Sequence, residues 1–288
     1  LYNHQPTASF LQECLQSCHD QIMPSLEEIK KLLKTEKVAH FDETGIRVLG
    51  KLHWVHVAST SGLTYYDVHE RRGQMGMRDI GILPEFTGRA IHDHFKSYRQ
   101  FKNCLHGFCN AHHLRELQFI TDQYQQSWAI QMSQLLLHIK MAVAHAPADN
   151  RSLSPSRCKQ FTDSYNKILA EGFAFNPVPE KTGKKGRPKQ TPPKNLLDRL
   201  EKHQQQVLAF MYDFRVPFTN NLAERDVRMV KVKEKISGSF RTWDGAKTFC
   251  AIRSYISTVR KQGINVLDAL HFALCGNPFL PSAYELPK

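Results

Sequence analysis

Three carboxylates stand where the chain begins or ends a strand or helix. Asp42 lies in His40-Phe41-Asp42-Glu43-Thr44-Gly45, and Asp93 follows the short apolar run Arg89-Ala90-Ile91-His92. Glu224 lies in Pro217-Phe218-Thr219-Asn220-Asn221-Leu222-Ala223-Glu224-Arg225. Carboxylates projecting from adjacent strands and a covering helix can hold two hard cations ~3.5–4 Å apart. Such a pair suits phosphoryl transfer, which depends on positioning and charge neutralisation more than on covalent chemistry. Each acid also has a plainer use. Asp42 could break a strand at a turn, Asp93 could cap a helix, and Glu224 stands three residues after Asn221, at the spacing of a capping box.

Softer ligands cluster elsewhere. Cys104, His106, Cys109, His112 and His113 fall within ten residues, and Cys109 and His112 have the two-residue gap that zinc ligands also use. The alternative is that Cys109 ends a buried strand and His112 opens a helix facing the site. That second use is the expected one, and bound zinc is not expected. Cys14, Cys18 and His19, on the first helix, are assigned to surface and core rather than to a metal.

Two basic features point to a polyanion. Gly183-Lys184-Lys185-Gly186-Arg187-Pro188-Lys189 resembles the Gly-Arg-Pro core of hooks that place an arginine in a narrow A·T minor groove. Lys184, Lys185, Arg187 and Lys189 are therefore candidate DNA contacts, with a plain solvated linker as the alternative. Beyond Glu224, Arg228, Lys231 and Lys235 recur at helical spacing on its side, while Ala223, Val227 and Val230 form an apolar stripe about a quarter-turn away. A basic edge beside a metal site is where a phosphate backbone would run.

The elements needed to position these groups can be read from periodicity. Phe10 to Leu33 is helical, with Ser25 opening a second helix after Pro24. Val38–Leu49, Lys51–Ser59 and Leu63–Val68 read as three antiparallel strands joined by tight turns at Gly50 and Ser61-Gly62. A helix is expected over Gly73–Phe86, short strands at Arg89–Ile91 and Leu105–Cys109, and a helix from about Ala111. Helices follow over Gln123–Ala146, Ser156–Glu171, Asn195–Asp213 and most of Asn221–Leu274. Between them Asn176–Lys194, with five prolines and a lysine run, cannot build a core. Strands interleaved with helices make the fold class α/β with a mixed sheet.

The chain has 288 residues, a formal charge of +12 and 41% hydrophobic residues, which excludes a wholly disordered chain. Mean hydropathy of −0.46 and the lack of any long apolar run argue against a membrane protein, and a pI near 9.4 favours nucleic acid. Seven cysteines without a regular framework read as reduced thiols of a cytosol. The first residue is Leu1 with no signal-peptide pattern after it, so a fragment of a longer protein is expected.

The segments HFDETG, GRAIHDHFKSY, CNAHHLREL, PFTNNLAERDVRMVKVKEKISGSFRT and KTFCAIRSYISTVRKQG together resemble, in order from about Val38 to Leu270, the transposase family of insertion sequence 66. PFTNNLAERDVR is the most specific of them. The resemblance implies a DDE transposase, with a ribonuclease-H-like mixed sheet flanked by helices and a mostly α-helical insertion before the last catalytic residue. It implies Asp42, Asp93 and Glu224 as the catalytic and metal-binding triad. Two Mg²⁺ ions are the expected cofactors, and Mn²⁺ can substitute. It implies Cys109 and His112 as supporting residues, because the same pair recurs in related families. The expected organisation is a helical arm over 1–37, the first part of the core over 38–120, an insertion over 121–217 carrying the linker at about 176–194, and the second part of the core over 218–288. Double-stranded DNA, as transposon ends and target, is the expected substrate, cut and then joined by strand transfer. A homodimer in a synaptic complex, accessory proteins of the same element and a cytoplasmic, nucleoid-associated bacterial setting complete the expectation. Family members carry N-terminal zinc-binding and DNA-binding segments that nothing here matches, so end recognition is expected partly outside this chain. The rivals are a related ribonuclease-H-like nuclease and a non-catalytic DNA-binding remnant of a mobile element.

Overall fold

A computed structural model describes residues 5–147, 149–177 and 190–282. The chain divides into two compact units. One, the sheet unit, comprises Leu1–Leu105 and Asn221–Lys288, and the other, the helical unit, comprises His106–Asn220.

The sheet unit begins with helix α1 (Ala8–Thr35), and its first three strands are β1 (Val38–Val48), β2 (Lys51–Ser59) and β3 (Thr64–His69). Leu49 and Gly50 both take positive φ, +51° and +75°. That is the two-residue hairpin turn whose twist matches the flanking strands, and it locks Val48 opposite Lys51. Helix α2 (Gln74–Ile80) precedes β4 (Arg89–His92). A short 3₁₀ turn (Tyr98–Gln100) precedes β5 (Leu105–Phe108), the strand through which the division between units passes. The sheet order is β3-β2-β1-β4-β5, with β1 antiparallel to β2, β2 antiparallel to β3, and β1 parallel to β4. This is the mixed sheet flanked by helices that the sequence led us to expect.

Gly88 admits β4 to its place. A Cβ there would stand 2.2 Å from the Glu36 carbonyl oxygen and 2.7 Å from that of Lys37, so only glycine allows the strand to enter beside β1.

Each face of the sheet has its own apolar layer. Ile46, Val48, Val55, Val57, Tyr66 and Val68 pack against Val230 of α9 (Asn221–Ser237) and Cys250 of α10 (Trp243–Lys261). On the opposite face Phe41, Ala58, Leu63 and Phe86 share a cluster with the α1 stripe Cys18, Ile22, Leu26, Ile29 and Leu33. The alternation along β1 and β2 puts successive residues into different layers, as a pleated strand must. At the sheet's β3 edge, α10 satisfies outward backbone groups. Ser254 Oγ accepts the Tyr66 N–H at 2.8 Å and Thr258 Oγ1 that of Thr64 at 3.0 Å.

Three expectations about helices are corrected. The N-terminal helix is continuous through Pro24, which lies on the exposed side of α1 where the missing N–H and the ring face solvent. Ser25 opens no second helix, and its hydroxyl donates to the Phe279 carbonyl at 2.7 Å. The helix expected to reach Phe86 stops at Ile80, because Gly81 takes the left-handed C-cap conformation.

The helical unit contains α3 (Asn110–Tyr124), α4 (Ser127–Ala144), α5 (Pro155–Phe175), α6 (Pro192–Lys202), α7 (Gln204–Val207) and α8 (Ala209–Tyr212). Its fully buried residues include Trp128, Met132, Leu136, Ile139, Tyr165, Leu196, Leu197 and Leu200. The helix expected over Asn195–Asp213 is three pieces, broken at His203 and Leu208, whose dihedrals leave the helical region. The division at 105/106 differs from the expected boundary at 120/121, which falls within α3.

Candidate functional site

The sheet register bears on two of the three acids. β1 and β4 are parallel, with His40 paired to Ile91, an offset of 51 residues. Asp42 and Asp93 are separated by the same offset, with Asp42 two residues past the last recorded pair in β1 and Asp93 just past the end of β4. Asp42 belongs to the same face of β1 as Ile46 and Val48, the face covered by α9.

Helix α9 delivers the third. Lys231 Nζ donates to the Gly45 carbonyl, and Glu234 accepts the Arg47 N–H at 3.3 Å. The helix thus runs beside β1 in the same direction. Ten helical residues from Glu224 to Glu234 span about 15 Å and five strand residues from Asp42 to Arg47 about 16 Å, so Glu224 lies toward the Asp42 end of β1. The electrostatics agree. Burial pushes the Asp42 carboxyl up to about 7, and the negative charges of Glu43, Asp93 and Glu224 add to that shift. Each aspartate is oriented by the backbone, with the Glu43 N–H on Asp42 Oδ1 at 2.9 Å and the Phe95 N–H on Asp93 Oδ1 at 2.8 Å.

The plainer uses of these acids fare differently. Asp42 sits inside β1 and does not end it. Asp93 accepts a backbone N–H two residues on, the bond of an Asx turn. Helix α9 starts at Asn221, making Glu224 its fourth residue, one place beyond the capping-box position. Asp42 with the charges of Asp93 and Glu224 acting on it is an all-oxygen set of the kind that suits hard divalent cations.

A fourth carboxylate, missed in the sequence, lies on the reverse face of β1. The Glu43 side chain is 2% exposed and accepts from the Tyr98 hydroxyl and from Arg72 Nε, the latter at 2.9 Å. The Arg72 guanidinium lies 4.9 Å from the Trp54 ring centroid and 4.4 Å from that of Phe95. His92 stacks on Tyr98 with centroids 4.5 Å apart. This assembly ties β1 to the segment that follows β4, behind the two aspartates. No local signal announces it, since Glu43, Arg72 and Tyr98 come from three separate segments. Alternation alone would have placed Glu43 opposite to Asp42 on the pleat.

The other candidate residues are placed as follows. Arg228 and Lys235 are exposed on α9, on the same stripe as Glu224, and Lys231 shares that stripe while donating to Gly45 and to Glu234 at 2.8 Å. Lys184, Lys185, Arg187 and Lys189 lie outside the described residues. In the helical unit, Cys109 precedes α3 and its Sγ accepts the Asn220 N–H at 3.1 Å, while His112 lies in the first turn of α3. Among the described residues no helix is long and apolar enough to cross a membrane.

Comparison with curated proteins finds no match. A chain in the cryo-EM structure of the simian T-cell lymphotropic virus intasome in complex with PP2A regulatory subunit B56 gamma shares 13% identity, over 57% of this chain, with a TM-score of 0.23. The match spans about half of that chain, 55%. Residues 3–248, most of the sequence and all three acids, match the family model described as "Transposase IS66 family", and the chain belongs to that family.

Proposed function

We propose that this chain is the catalytic region of a bacterial DDE-type DNA transposase, with Asp42, Asp93 and Glu224 as its metal-binding triad. The observation that supports the reading is that the charges of Asp93 and Glu224 both bear on the buried Asp42 carboxyl, with Asp42 on the strand that pairs with β4 and Asp93 just beyond β4. These three residues would hold two Mg²⁺ ions, with Mn²⁺ able to replace them. When bound, the ions supply activation of the attacking oxygen and stabilisation of the leaving one.

The chain's own residues bind and orient. Backbone N–H groups fix the planes of Asp42 and Asp93, and the Glu43–Tyr98–Arg72 assembly holds β1 from behind. Arg228 and Lys235, exposed along the Glu224 stripe, would receive the phosphate backbone and steer the scissile bond toward the acids. Lys231 is committed to β1 and Glu234, and would add charge to that stripe from a fixed position. In the first step water attacks an end phosphodiester, the P–O3′ bond breaks, and a 3′-hydroxyl is released. In the second that hydroxyl attacks a target phosphodiester, forming one P–O bond as another breaks, so no energy-carrying cofactor is required. The partners in this reading are double-stranded DNA, a second copy in a synaptic dimer, and accessory proteins of the same element, in a cytoplasmic, nucleoid-associated setting.

Cleavage and strand transfer on duplex DNA bearing the element's own ends test the reading. Asp93→Asn keeps the side chain's shape and removes a charge that hard cations need. It should abolish Mg²⁺-dependent cleavage and leave DNA binding intact. A normal rate in that variant removes Asp93 from the site. Hydrolysis without strand transfer in the unaltered protein would favour the ribonuclease-H-like nuclease reading, and DNA binding without either reaction a non-catalytic remnant.

A further inference from the structure

A second polar cluster lies under α9, two residues beyond Glu224. Asp226 Oδ2 accepts three bonds, from Ser59 Oγ at 2.7 Å, Thr64 Oγ1 at 3.1 Å and Lys261 Nζ at 2.9 Å. Lys261 Nζ also donates to Ser59 Oγ at 2.7 Å, the Thr60 carbonyl at 2.8 Å and the Leu63 carbonyl at 3.1 Å. The Tyr66 hydroxyl donates to the Asp226 carbonyl at 3.0 Å. Ser59 and Thr64 are fully buried, and Asp226 and Lys261 retain 16% and 17% side-chain exposure.

Four elements therefore meet at one carboxylate, namely β2, β3, α9 and the last turn of α10. Apolar packing alone holds the start of α9 weakly. Across the helix only Ala223 and Val230 are buried, and of these only Ala223 lies in the first turn. A small side chain sets the distance of a helix from a sheet but not its rotation. Charge-assisted bonds with defined partners fix rotation as well.

We infer that the Asp226–Lys261 pair is a positioning device that sets the rotation and depth of α9 and so aims Glu224 at Asp42 and Asp93. The inference rests on the triad reading above. Asp226 and Lys261 are positioning residues with no contact to substrate.

The test uses the full chain with Asp226→Asn, which keeps acceptors for Ser59 and Thr64 and removes the charge facing Lys261. Two quantities are read alongside Glu224→Gln: the Mg²⁺ concentration that half-saturates DNA cleavage, and hydrogen exchange of the amides of Arg225 to Arg228. Half-saturating Mg²⁺ should rise at least tenfold, with activity recovered at high metal, and those amides should exchange at least tenfold faster. A variant that melts lower but keeps wild-type metal dependence shows a merely structural pair and overturns the inference. So does unchanged exchange. If Glu224→Gln cuts normally, the triad reading falls instead, and the exchange result still decides whether Asp226 anchors the helix. Should Asp226→Asn fail to fold, Thr64→Val removes one of the three bonds, and the same two readings decide the matter at smaller amplitude.

Discussion

Removing the charge of Asp42 should make the cation-free protein more stable while destroying its activity. Its carboxyl titrates at about 7 in the fold against an ordinary 3.8, because burial and then the neighbouring carboxylates disfavour the ionised form. Between those values the unfolded chain has released its proton and the folded chain has not. Stability therefore falls as pH rises from about 4 to 7 and stays low above. At about 1.36 kcal/mol per unit, the penalty at pH 8 is at most about 4 kcal/mol, and roughly 2–4 kcal/mol allowing for partial solvation. Asparagine escapes that penalty and still accepts the Glu43 N–H. After dialysis against EDTA, Asp42→Asn should melt roughly 5–10 °C above wild type at pH 8. Near pH 4 the gap should shrink below about 1 kcal/mol. Adding 10 mM Mg²⁺, an arbitrary excess on the order of many Kd, should raise the wild-type melting point and leave the variant's nearly unmoved. Equal melting at pH 8 without cations, or an equal Mg²⁺ shift in both proteins, would refute the idea that the three acids share one field.

Other outcomes are open to measurement. Gly88→Ala forces a Cβ to within 2.2 Å of the Glu36 carbonyl oxygen, and should lower unfolding free energy by about 1–3 kcal/mol or more in denaturant titration. Wild-type stability there would mean that β4 enters otherwise. Burial depresses His56 to about 4 from 6.5, so the stability present above pH 6.5 should be lost by about 3 kcal/mol as pH falls toward 4. His56→Gln should flatten that limb, and parallel acid limbs would exclude His56 as its source. Replacing Lys184, Lys185, Arg187 and Lys189 by serine should weaken DNA binding and reduce the log–log salt slope by about 0.9 per lost phosphate contact. An unchanged slope would make the segment a tether.

What the residues announced locally, the structure contains. Alternating apolar residues and Gly50 mark the β1–β2 hairpin, and β2 spans Lys51–Ser59 as read. Asp42 within a strand, Asp93 just past one and Glu224 on a helix were visible as types, and the His40–Ile91 register has the same 51-residue offset. The misread features all depend on partners distant in sequence. Pro24 signals a helix end, but the apolar stripe on either side of it outweighs the lost hydrogen bond. The breaks at His203 and Leu208 carry neither glycine nor proline. Glu43 and Asp226 look like ordinary charges until Tyr98, Arg72, Lys261 and Ser59 arrive around them.

The sealing of the β3 edge sets a timetable for synthesis. The groups that cap Tyr66 and Thr64 come from Ser254 and Thr258, 188 and 194 residues further along. At a translation rate of roughly 5–20 residues per second, the meander can form about 10–40 seconds before its cover emerges. During that interval β3 presents open backbone groups to any other extended segment. A chain truncated before Ser254 keeps that vulnerability permanently, and aggregation of such truncations is the expected sign that α10 serves the sheet as its closing edge.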